Sequence, residues 1–280
     1  MRKKLVFLGI FAFPLLIVTG GFLNRVQIRD FIFAHQKTSL PEAQPYTAFI
    51  SSTDTYNSTS QIEHIPEYSS EPAEEKIEES AIATKEQKET EILPDTINLD
   101  VPFTPQAPHA NWDLPYQEAC EEASLLMVAR YKNGNIINSP EDADLEIRKL
   151  VEFQNNFFGD YKDTTAEETA EIARIYYGFE NTEVVYDFTA EDIKKELMAG
   201  HPVIVPAAGR QLPNPYFRSP GPLYHMLVIR GYTPDQFITN DPGTKRGEEF
   251  VYKYADLLNA VHDWNNGDVE NGRKVMIVVK

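Results

Sequence analysis

From Leu5 to Leu23 the chain runs nineteen residues without a charge, and from 38 to 95 its apolar residues are scattered without period among Ser, Thr, Glu and Pro. A packed core therefore has only 96–280 in which to form. Charge divides the chain at the same places. Of the net −17 carried by 280 residues, 1–37 contribute +5, 38–95 contribute −10 and 96–280 contribute −12. High charge with few clustered apolar groups cannot offset the entropy of ordering, so 38–95 reads as an acidic disordered linker. The remaining 96–280 has the length of one compact domain.

The apolar run spans ~28 Å as a helix, about one bilayer core. It follows Met1-Arg2-Lys3-Lys4, a basic start that stays cytoplasmic by the positive-inside tendency, while Arg25, Arg29 and Lys37 reduce the asymmetry. A cleaved signal peptide has a shorter run and a small-x-small cleavage site, for which Val18-Thr19-Gly20 is a poor substitute. The expectation is a single-pass anchor through residues 5–23, within an N-terminal segment 1–37, holding the domain outside the cytoplasm at the cell membrane. Cleavage of that segment would make the domain secreted. The acidic balance argues against a nucleic-acid partner, which needs a basic face for phosphates. One cysteine, Cys120, excludes an intramolecular disulfide and a Cys-rich zinc site.

Within 96–280, periodicity predicts a helix from about Gln117 to Tyr131. Ser139 can cap a second helix over 140–153, and Thr164 or Thr165 a third over 166–177 that Gly178 ends. Thr189 can cap a fourth over 190–199, closed by Gly200. Strands are expected at 183–186, 202–206, 224–232, 236–239, 248–252 and 273–279, with a helix at 254–262. Helices gather first and strands last, which is an α+β order.

A helix that starts at or just before Cys120 brings the thiol to unpaired N–H groups and a positive dipole end, and both favour a thiolate. The alternative is a small buried apolar residue. Glu121 and Glu122 oppose the thiolate if they point inward; on a helix they can instead project to solvent. A thiolate nucleophile needs an imidazole to move protons. His35 and His64 lie outside the domain, His109 in a Pro-rich loop, His201 before Pro202 at a strand edge and His262 in a helix tail. His225 opens the apolar strand Tyr224–Tyr232, where a polar ring needs a partner. It is either a core histidine bonded to backbone or a catalytic base. Strands 224–232 and 236–240 read as a hairpin through Thr233-Pro234-Asp235, which brings His225 towards Asp241. Asp241 can then accept the imidazole N–H while also opening an Asp-Pro-Gly turn.

These pieces occur in the order Val101-Pro102-Phe103-Thr104-Pro105-Gln106, Cys120 with Ala123-Ser124-Leu125-Leu126-Met127, Gly200-His201-Pro202-Val203-Ile204-Val205, His225 with Val228-Ile229-Arg230-Gly231-Tyr232, and Asn240-Asp241-Pro242. Over roughly 98–255 this resembles the C39-like cysteine peptidase family of the papain-like superfamily, which includes the leader-peptide-cleaving domains of bacteriocin exporters. The resemblance implies a papain-like fold, a helical first half packed on an antiparallel β-sheet second half. It implies Cys120 as nucleophile, His225 as general base and acid, and Asp241 as the group that orients His225. It implies a glutamine in the oxyanion hole, for which Gln106 matches the position after the initial Val-Pro strand and Gln117 is the less suited alternative. The activity implied is hydrolysis of peptide or amide bonds in a peptide or protein substrate through a thioester, with no metal or organic cofactor. Trp112, Tyr116 and the loop Gln211–Pro222 are candidates to line the substrate cleft, although a loop so rich in Pro and aromatics can be merely packed. The family often has Gly after the cysteine, where this chain has Glu121-Glu122. A peptidoglycan-peptide amidase or endopeptidase, and a catalytically inactive papain-like domain that binds envelope peptides, are the competing readings.

Overall fold

The computed structural model describes residues 27–49 and 93–280. The apolar run 5–23 and most of the expected linker lie outside them. Among the described residues no helix is long and apolar enough to cross a membrane.

Two helical stretches, 27–38 (α1) and 47–49 (α2), precede the domain. The domain opens with the two-residue strand β1 (Ile97–Asn98), followed by α3 (Cys120–Lys132), α4 (Pro140–Phe157) and α5 (Ala166–Tyr177). Local chemistry sets these boundaries. The Ser139 hydroxyl accepts the Asp142 N–H ahead of Pro140, and Thr165 with Glu168 forms a complete capping box. Gly178 ends α5 at φ 74°, a left-handed conformation that glycine adopts without strain. Strand β2 (Thr182–Tyr186) and α6 (Ala190–Met198) follow, α6 opened by a Thr189–Asp192 capping box. Strands β3 (Val203–Ala208), β4 (Tyr224–Tyr232), β5 (Gln236–Asn240) and β6 (Phe250–Lys253), helix α7 (Tyr254–Ala260) and strand β7 (Val275–Val279) complete the chain.

The strands form one antiparallel sheet in the order β2-β7-β3-β4-β5-β6, with β1 paired to β4. A mixed helix-plus-antiparallel-sheet fold is the expected α+β class. The segregation is incomplete, because β2 precedes α6 yet joins the edge of the sheet beside β7. The strand expected at Val101-Pro102 is absent among the described residues. Pro102 has no N–H to give a ladder, and the Val101 and Pro102 carbonyls accept instead from Asn240 Nδ2.

Every position of β3, β4 and β7 is buried. Successive side chains point to opposite faces, so the middle of the sheet is covered on both sides. Helix α3 packs against β4, α4 and α5, and only its Arg130 and Lys132 are not buried. A helix covered around almost its whole circumference is a core helix, and everything at its N-terminus is drawn inside.

Residues 27–49, divided by composition between the N-terminal flank and the linker, lie against the domain. Phe33 of α1 packs between Tyr216 and Phe250, at ring-centroid distances of 5.8 and 6.0 Å. Asp30 meets Arg246 at 3.1 Å and Lys37 meets Glu248 at 2.8 Å. Beyond residue 38 the backbone still follows the domain, since Gln44 N–H donates to Asn98 O and Gln44 O accepts from Asp100 N–H. Tyr46 packs on Tyr131, and Phe49 lies over Gly200. The low apolar average of 38–95 conceals these few well-placed aromatic anchors.

Candidate active site

The β4–β5 hairpin pairs Val228 with Asn240. Continuing that register sets Asp241 diagonally across from His225, within side-chain reach. His225 Nε2 lies 2.8 Å from Asp241 Oδ1, with both side chains buried. Three further donors converge on this carboxylate. Gly243 N–H donates to Oδ1 at 2.9 Å, while Asn214 Nδ2 and the Tyr252 hydroxyl donate to Oδ2 at 2.9 and 2.6 Å. Burial alone would raise the Asp241 pKa. The facing His225 charge and the hydrogen bonds from His225, Tyr252 and Gly243 outweigh it and hold Asp241 below the ordinary carboxylate value. An ionised carboxylate only accepts, so His225 Nε2 carries a proton and donates it to Asp241. Phe217 packs edge-on against the imidazole at 5.3 Å. A Cβ on Gly243 would stand 2.8 Å from Phe217 Cε1 and 2.9 Å from His225 Cε1, so only glycine leaves room for both rings.

Cys120 is the first residue of α3, and Ala119 before it offers no side-chain cap. The first N–H groups of α3 are therefore without intrahelical partners at this point. The thiol lies against the head of β4, where the Met226 backbone N–H, next to His225, favours its ionised form. Two carboxyl groups oppose that. Glu121 and Glu122, allowed by the sequence to face solvent, are both buried, because α3 has no exposed side at its start. The Cys120 thiol donates to Glu121 Oε2 at 3.0 Å, and Glu122 Oε1 accepts from Gln154 Nε2 at 2.6 Å. Burial, then Glu121, then Glu122 push the Cys120 thiol well above its usual value. Burial likewise raises Glu121 to about 8 and Glu122 well above the carboxylate range. In this arrangement the thiol is neutral and its proton points at Glu121, not at His225.

A buried cysteine at the start of α3 thus reaches Met226, the neighbour of His225 on the strand that carries the His–Asp pair. Residues 98–267 match the model of the peptidase C39 like family. The chain belongs to that family. A crystal structure from Bacillus anthracis, assigned as a C39-like peptidase, is similar at 18% identity and a TM-score of 0.45, over 67% of this chain and 98% of that one. Among curated proteins, none matches.

The C39-like domain places the other expected site residues as follows. Gln106 is buried, its backbone N–H donating to Pro242 O at 2.9 Å and its Nε2 to the Tyr116 and Gln117 carbonyls at 2.9 and 3.1 Å. It thus ties the turn after Asp241 to the segment before Cys120, and both of its amide protons are engaged. The Gln117 side chain is exposed and bonds Glu118. Tyr116 turns its hydroxyl to Asp144 on α4, and Trp112 is 44% exposed in the loop that leads to it. In the loop Gln211–Pro222, Phe217 and Asn214, neither of them singled out by the sequence, reach the His–Asp pair. Tyr252 was missed too; it reaches Asp241 from β6, the strand paired to β5. Among the described residues, no group of three His, Cys, Asp or Glu side chains is placed to hold a metal ion.

Proposed function

We propose that this chain is a membrane-anchored, extracytoplasmic cysteine peptidase of papain-like design that hydrolyses peptide or amide bonds through Cys120, His225 and Asp241. The observation that carries this reading is the buried His225–Asp241 pair, held by four hydrogen bonds at the strand head on which the Cys120 thiol rests. Asp241 fixes the tautomer and stabilises the imidazolium once it forms. His225 Nδ1 takes the thiol proton after the thiol turns from Glu121. The thiolate then attacks the carbonyl carbon, a C–S bond forms, and the electron pair of the carbonyl moves to oxygen. Unpaired N–H groups at the start of α3, that of Cys120 first, face the developing oxyanion. Collapse breaks the C–N bond while His225 gives its proton to the leaving amine. Water, deprotonated by His225, then cleaves the thioester. Gln106 holds the Cys120 segment in place, and it joins the oxyanion hole by releasing one of its two carbonyl partners.

A catalytically silent peptide-binding domain is the second reading, and the neutral thiol bonded to Glu121 favours it. One experiment separates them. The full chain in detergent micelles is incubated with a mixed peptide library, and new termini are read by mass spectrometry. The peptidase reading expects cleavage that Cys120→Ser abolishes and His225→Ala lowers at least about a hundredfold. Termini that appear equally with Cys120→Ser would refute it, and binding without cleavage would establish the silent domain.

A further inference from the structure

Helix α1 has two faces. Asp30, Phe33 and Lys37 recur at i, i+3 and i+7 and are turned to the domain, on Arg246, on Tyr216 and Phe250, and on Glu248. Ile28, Phe31 and Ile32, at i, i+3 and i+4, lie on the opposite side and are 51%, 73% and 50% exposed. Among the described residues Phe31 is the most exposed of the large apolar side chains, and His35 extends the stripe by stacking on it at 6.4 Å. One face is thus spent on the domain, and the other is an apolar stripe that the described residues leave exposed.

What precedes α1 says what covers that stripe. The uncharged run ends at Leu23, four residues before Gln27. Four residues reach at most ~14 Å even fully extended. A chain that leaves the hydrocarbon at Leu23 is therefore still in or beside the headgroup layer when α1 begins, since that layer is roughly 5–8 Å deep on each side. An amphipathic helix at that depth lies in the interface with its apolar face towards the acyl chains. The acidic stretch 50–92 cannot hold the domain away, because residues 27–49 are already on the domain before it starts.

We propose that the outer face of α1 is a lipid-bilayer docking surface, which seats the domain directly on the membrane instead of at the end of a tether. The inference rests on the anchored reading above for its bilayer, and on the helix itself for the surface. It carries a consequence for substrates. Arg29 donates to Pro215 O at 3.2 Å, and the adjacent Asn214 holds Asp241. The layer of contacts from bilayer to α1 to loop 214–216 to the His–Asp pair is continuous, so the bonds within reach are those of peptide segments lying close to the bilayer surface.

The test uses the full chain with Cys120→Ser, which removes the single native thiol. Single cysteines replace Ile28, Phe31 or, as a control exposed on the α3–α4 loop, Ile136. Each is spin-labelled in vesicles of phosphatidylcholine and phosphatidylglycerol, and collision with oxygen is compared with collision with an aqueous nickel chelate. Labels at 28 and 31 are expected to favour oxygen over nickel at least about threefold more than the label at 136, as interfacial burial requires. Equal ratios at all three positions on vesicle-bound protein would overturn the docking surface alone. Spin–spin broadening at 31 would give the face to a second copy and overturn it as well. Protein that stays off the vesicles would overturn the anchored reading and the inference with it. None of these readouts depends on peptidase activity.

Discussion

Replacing Glu121 by Gln tests the least expected feature of the site, a carboxyl group buried against the thiol. Burial raises Glu121 from 4.5 to about 8. In the unfolded chain the group ionises near its ordinary value, while in the folded protein it keeps its proton until pH approaches 8. Between those values the folded state binds more protons, so stability falls as pH rises, the reverse of an ion-paired carboxylate. Each unit of displacement is worth about 1.4 kcal/mol, which makes the full loss up to about 5 kcal/mol. The amide of the Glu121→Gln variant does not titrate, and its carbonyl can still accept from the thiol. Urea unfolding of both proteins in detergent micelles, repeated across this pH range, measures the difference. Glu121→Gln is expected to match the wild type below the ordinary carboxylate value and to become progressively more stable, by several kcal/mol, as pH nears 8. The substitution also removes a charge 3.0 Å from Sγ, whose repulsion is worth at least about 1.4 kcal/mol even with water-like screening. Above pH 8 the variant should therefore carry at least about ten times more thiolate. A stability gap that stays flat with pH would refute the reasoning, because it would mean that Glu121 is ionised in the folded protein at neutral pH.

Asp241→Asn leaves four convergent donors facing an amide, and should cost about 3–5 kcal/mol of stability and most of the turnover, as read by urea unfolding and peptide hydrolysis. Because the folded Asp241 pKa lies below the ordinary value, its contribution is complete above that value and is lost as pH falls through the folded one. The gap between wild type and variant should accordingly narrow in acid, and a gap that widens there would contradict the assignment. Gly243→Ala puts a methyl group into the contact between Phe217 and His225 and should cost about 1–3 kcal/mol, with kcat falling more than KM rises.

Much of the fold was legible because its determinants are local. Ser139, Thr165 and Thr189 bond amides three residues away, and Gly178 ends α5 by its own backbone freedom. The approach of His225 to Asp241 follows from hairpin register, which a short connection sets. What stayed hidden depends on packing between distant segments. Two glutamates in a first helical turn ordinarily face water; only the covering of α3 by α4, α5 and the sheet buries them, and the partner of Glu122 is Gln154, on another helix. Asn214 and Tyr252 reach Asp241 from a loop and from β6, at separations for which no periodicity exists. The docking of α1 pairs Phe33 with Tyr216 and Phe250 across most of the chain, and average composition cannot register three well-placed rings.

Control of Cys120 reactivity by His225 is the central claim. Alkylation by iodoacetamide, followed by intact mass across pH in the full chain, measures this directly because Cys120 is the single cysteine. Burial, Glu121 and Glu122 hold the wild-type thiol above the ordinary range of about 8.5, so its alkylation is expected to rise only past that value, and His225→Ala to lower the rate further at each pH. Profiles that coincide in the two proteins would contradict it.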